Sequence, residues 1–161
     1  MKAAAVASLV IALMATVPAS TADNFFERLA TCQDSWLAWK DYPDLMEKFA
    51  DRVRASFVEK GGAGFWVPKS TVLVAGLPVV QAFPQSVGTG IGFSVLVDAR
   101  FEKARTLVEQ TLGRSLTDCE TSDNMHSCGL EIGEKRTVVL MAEDNGKAKT
   151  TLIGCYYYYE K

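Results

Sequence analysis

Residues 91–113, IGFSVLVDARFEKARTLVEQTLG, change their hydrophobic period in mid-stretch. Ile91 to Val97 is an aromatic and β-branched run of strand length. Beyond Asp98, Phe101, Ala104, Val108 and Leu112 recur every three or four residues, the apolar stripe of an amphipathic helix with Asp98 as its cap and Gly113 closing it. A strand that feeds a helix in mid-chain, with strand patterns on both sides of the pair, sets the frame for the whole fold.

Toward the N-terminus, Thr71 to Val74 and Val79 to Phe83 are β-branched runs separated by Ala75-Gly76-Leu77-Pro78, a hairpin turn. Pro68, Pro78 and Pro84 mark strand ends or edges. Further back the period is helical. Leu45, Phe49, Val53 and Phe57 repeat every four residues until Gly61-Gly62, and Phe25, Leu29, Cys32, Trp36 and Trp39 form an earlier stripe. Asn24 is placed to cap that first helix, with Glu27 reaching back to it. Tyr42-Pro43-Asp44 divides the two stripes into a helical hairpin. Toward the C-terminus the candidate strands are Leu116 to Thr121, Cys128 to Ile132, Thr137 to Glu143 and Thr150 to Tyr159, with Asn145-Gly146 the strongest hairpin signal. Segregated helices and hairpin-linked strands predict an α+β fold, an N-terminal helical hairpin and one further helix packed on a mainly antiparallel sheet and bridged by disulfides.

Residues 1–22 read as a cleavable signal peptide. Lys2 precedes an uncharged apolar stretch from Ala3 to Val17, too short for a membrane span, and Ser20 and Ala22 put small residues at the cleavage site. Residues 23–161 then form a single globular domain, and the Ala-rich leader points to the periplasm first and to extracellular release second. Four cysteines in an exported chain predict two disulfides. Three pairings are possible; the polar, turn-rich segment between Cys119 and Cys128 favours joining those two, which would leave Cys32 with Cys155.

The chain carries 17 basic and 19 acidic residues with no block of like charge, which argues against a nucleic-acid partner. His126 is the only histidine, and no Gly-x-Ser-x-Gly motif accompanies it, so a conventional catalytic triad is not expected. Cys119, His126 and Cys128 match no common metal-ligand spacing, and bridged sulfurs bind metal poorly, so neither a metal nor a cofactor is expected. The glycines of Val87-Gly88-Thr89-Gly90-Ile91-Gly92 lead into a strand rather than a helix, which reads as turn or bulge and not as a dinucleotide loop. The stretch Phe93 to Val108 resembles the strand-to-helix junction of START-like lipid-binding domains. The likeness covers under a fifth of the chain, two helices precede the strands here, and it assigns no residues.

The run Tyr156-Tyr157-Tyr158-Tyr159 sends two rings to each face of its strand. With Cys155 held toward the helices, Tyr157 and Tyr159 share its face, and Tyr156 and Tyr158 stand on the other as candidate contact residues. The leading expectation is a non-enzymatic binding protein with a protein partner in the cell envelope, of inhibitor or immunity type. The alternative is a small hydrolase or ligand carrier using an apolar cavity or dispersed carboxylates such as Glu131 with Glu134, or Glu143 with Asp144.

Overall fold

The structure, a computed structural model, describes residues 24–34, 43–62, 64–84, 86–87, 90–133, 136–144 and 147–157. The expected leader, the part of the first stripe carrying Trp36 and Trp39, the Asn145-Gly146 turn and Tyr158 lie outside the described residues.

The period change at residue 98 is realised as β6 (Gly90–Val97) running into helix α3 (Phe101–Leu112). Gly113 closes that helix in the left-handed conformation at φ 63°, which carries no Cβ penalty for glycine. The N-cap is Arg100 rather than Asp98, and it makes no side-chain capping bond. The Asp98 backbone N–H instead donates to Pro78 O, so residue 98 continues the ladder to the neighbouring strand before the helix begins.

Two further helices precede the sheet, α1 (Phe25–Ala30) and α2 (Pro43–Ser56). The described strands are β1 (Phe57–Lys60), β2 (Phe65–Pro68), β3 (Leu73–Val74), β4 (Leu77–Phe83), β5 (Ser86–Val87), β6, β7 (Asp118–Ser122), β8 (Met125–Glu131), β9 (Arg136–Ala142) and β10 (Thr151–Tyr157). Their order is β1-β2-β4-β6-β10-β9-β8-β7, with β3 on β4 and β5 on β6, and every pairing is antiparallel. The last strand in sequence thus lies at the centre, joining the meander before α3 to the one after it.

Alternation assigns each strand residue to one of two faces. Phe93, Val95 and Val97 of β6, Ile153, Cys155 and Tyr157 of β10, and Val138 and Leu140 of β9 are buried on the inner face in one cluster with Phe26 and Leu29 of α1, Phe49 and Val53 of α2, and Phe101, Ala104 and Val108 of α3. Phe26 is the hub of the aromatic part, edge-on to Phe57 at 5.0 Å and stacked on Phe93 at 5.7 Å.

Three local expectations are corrected. The first helix stops at Ala30, so Cys32 lies beyond it, at φ 57°, instead of on its stripe. The bridge to Cys155, a bond from Arg136 Nη1 to Cys32 O at 3.2 Å, and one from Tyr157 Oη to Asp34 O at 3.5 Å all draw residues 32–34 onto the sheet. Glu27 does not return to Asn24; its carboxylate accepts the Ala75 N–H at 2.7 Å and ties α1 to the β3–β4 turn. Phe57 begins a strand rather than ending a helix, because it pairs with Pro68 while its ring stays in the core. Gly61 and Gly62, both at positive φ, then serve the β1–β2 hairpin.

Candidate interaction face

Both expected disulfides are present, Cys32–Cys155 and Cys119–Cys128. The second joins directly opposed residues of β7 and β8, whose hairpin turns at Asp123-Asn124 with both residues at positive φ. With Cys119 and Cys128 joined, the sulfurs are not a thiolate pair. His126, on the inner face of that hairpin, packs edge-on against Phe101 with ring centroids 4.4 Å apart, and its Nδ1 lies 2.7 Å from Thr121 Oγ1. The histidine is thus part of the packing between the hairpin and α3. Of the carboxylate pairs, Glu134 lies outside the described residues, Glu131 stands on the outer sheet face, and Glu143 and Asp144 are exposed.

The outer face, opposite the helices, is where the sequence is unusual. Antiparallel sheets with one solvated face alternate apolar and polar residues, yet β6, β9 and β10 are apolar at both parities. One continuous cross-strand row reads Gln81, Leu96, Leu152, Met141, Ser127 and Glu120 from β4 to the edge strand β7. The next reads Phe83, Ser94, Gly154, Val139, Gly129 and Asp118. A third is Gly92, Tyr156, Thr137 and Glu131.

Leu96, Leu152 and Met141, with Phe83 and Met125, are all half-buried and line a groove of about 370 Å³ whose far side is formed by Ala142, Glu143, Ala148 and Thr150. The chemistry of this face is one-sided. From β4 to β7 its described strand residues include three carboxylates, Asp118, Glu120 and Glu131, and no Lys or Arg; Arg114, beyond the strands, shares a surface hollow with Asp118 and Glu131. Among the described residues no ion pair engages these three.

Tyr156 does face away from the helices, as alternation requires, but it is only 6% exposed, its ring folded along the sheet over Gly154. Tyr156 therefore offers a partner little area and acts as the wall of this face. The groove residues were missed at the sequence level, although the apolar pairs Val95-Leu96, Leu140-Met141 and Leu152-Ile153, each straddling both faces, carried the signal.

Among the described residues, no helix is long and apolar enough to cross a membrane, and two disulfides fit an oxidising compartment, periplasmic or extracellular. No protein family, curated protein or solved structure matches the chain.

Proposed function

We propose that the chain is an exported, non-enzymatic binding protein of the periplasm that engages another protein of the cell envelope, in the manner of an inhibitor or immunity factor, through the outer face of its sheet. One observation carries this reading: a half-buried row of Leu96, Leu152 and Met141, flanked by Phe83 and Met125, on the face opposite the helices. Apolar side chains grouped on a surface are costly in water and are retained where a partner covers them. Methionines suit such a surface because their unbranched side chains adapt to the shape they meet.

A small-ligand carrier is the second reading, since 370 Å³ lies within the range of small-molecule sites. The groove spreads over five adjacent strands, from Phe83 on β4 to Met125 on β8, which favours a macromolecular contact over an enclosed ligand.

Site-specific photo-crosslinking in the native compartment tests the proposal. A photoreactive residue at Met141 should give one discrete adduct with an envelope protein, while the same residue at exposed Glu102 on α3 should not. No adduct from Met141, or equal labelling from both positions, refutes it.

A further inference from the structure

We propose that the outer face takes a segment of its partner that presents aliphatic side chains and, about 10 Å from them, a Lys or Arg; the inference rests on the reading of this face as the contact surface. The distance follows from the register. Met141 pairs with Ser127 and Ser127 with Glu120, so two inter-strand spacings, about 4.8 Å each, separate the apolar row from the Glu120 carboxylate. An extended chain covers that span in about three residues.

The charge on this face selects among occupants. Carboxylates on β7 serve to guard an edge strand against unwanted pairing, and Asp118 and Glu120 fit that role. Glu131 does not, because β8 is flanked by β7 and β9, yet it adds a third negative charge to the same face. A second copy of the chain, docking face to face, would bring six carboxylates together against only the two Arg114 side chains, one per copy, that share a surface hollow with Asp118 and Glu131. An anionic lipid surface is repelled for the same reason. A cationic, aliphatic segment meets both halves of the surface: its apolar side chains enter the groove, and its base steers the approach and fixes the register.

Fluorescence anisotropy on the oxidised protein decides the matter. The probe is a labelled peptide carrying Leu-Val-Leu with Lys three residues beyond, compared with its Lys→Glu and Leu→Ser counterparts. The parent peptide should bind best, with the Lys→Glu form weaker by about fivefold at low salt, as expected for one exposed charge pair. Glu120→Lys should reverse the preference between the Lys and Glu peptides, and Leu152→Asp should abolish binding of all of them. Where Leu152→Asp fails to keep its melting transition, Met141→Glu at a half-buried position takes its place. If Glu120→Lys leaves the preference unchanged while Leu152→Asp abolishes binding, the cationic segment is overturned and the contact face stands. If binding ignores Leu152→Asp and Met141→Glu, both are overturned. Failure of the parent peptide to bind, or a dimer in sedimentation that Leu152→Asp dissociates, also overturns the cationic segment.

Discussion

The ring of Tyr156 lies over Gly154, two residues back on the same strand: a Cβ built on residue 154 would fall 2.9 Å from Tyr156 Cε2 and 2.7 Å from the Cβ of Ser94. The glycine thus makes room for the aromatic, which covers backbone that a side chain would otherwise shield. Gly154→Ala should destabilise the domain by about 1–3 kcal/mol, the usual cost of overpacking, and a urea melt measures it directly.

Gly92, paired with Tyr156 on β6, is under a harder constraint. A Cβ there would lie 1.8 Å from Cys155 O, which is backbone of the central strand and cannot swing aside as a ring can. Gly92→Ala is therefore expected to cost more than Gly154→Ala and to disturb the β6–β10 ladder. A smaller loss for Gly92→Ala in paired melts would contradict this ranking.

These two glycines show where sequence reading succeeds and where it stops. Strand and helix identity along 91–113 was legible from period alone, and spacing favoured the observed cysteine pairing among three without deciding it, because the long-range bridge depends on the fold. The end of α1 was not legible: Phe25, Leu29 and Cys32 keep helical spacing, and only the tertiary bridge to Cys155 takes Cys32 off the helix. Nor was the burial of Tyr156, since alternation gives a side chain's face but not what lies beside it. The groove depends on registers between strands far apart in sequence, such as Leu96 with Leu152, which no window along the chain contains.

The two disulfides should contribute unequally. Cys32–Cys155 closes a separation of 123 residues and Cys119–Cys128 one of 9. The chain-entropy relation then gives about 5 and about 2.5 kcal/mol respectively. Ser replacements of each pair, compared by denaturant midpoint, test the order. With Cys119 on the exposed edge strand and Cys32 and Cys155 both buried, mild reductant should open the hairpin bridge first, as peptide mapping after timed alkylation would show.

Glu109 predicts a feature of the acid limb. Its carboxylate accepts the Leu116 backbone N–H at 2.9 Å and pairs with Arg105 at 3.0 Å. The backbone bond first, and the Arg105 bond and charge with it, hold its pKa below the ordinary 4.5 against the opposing effect of burial. A carboxylate depressed in the folded state stabilises fully above its unfolded pKa and loses that contribution as pH falls through the folded value. The stability difference between wild type and Glu109→Gln should therefore be constant above about pH 5.5 and shrink on acidification through about pH 4 and below. Parallel stability curves for the two proteins across that window would contradict the assignment.

Tyr156 and Tyr157 separate structural burial from the clamp on residues 32–34. Alternation alone predicts that only the inner-face ring is structural, but the two residues are 6% and 2% exposed, so replacement of either by Ser should destabilise by about 3 kcal/mol or more. What differs is the company each keeps. Tyr157 shares its face with the Cys32–Cys155 bridge and donates to Asp34 O, so ring and disulfide hold the same short segment against β10. Once the bridge is gone, that segment no longer ties α1 to the sheet, and part of what Tyr157 stabilises is already lost. In a double-mutant cycle, Tyr157→Ser combined with Cys32→Ser and Cys155→Ser should cost less than the sum of its parts by about 1 kcal/mol or more, the size of coupling seen between residues in contact. Tyr156, on the opposite face over Gly154, should couple less to the same bridge. Equal coupling for the two tyrosines would show that the sheet transmits the loss of the bridge through its whole thickness and that the clamp is not local.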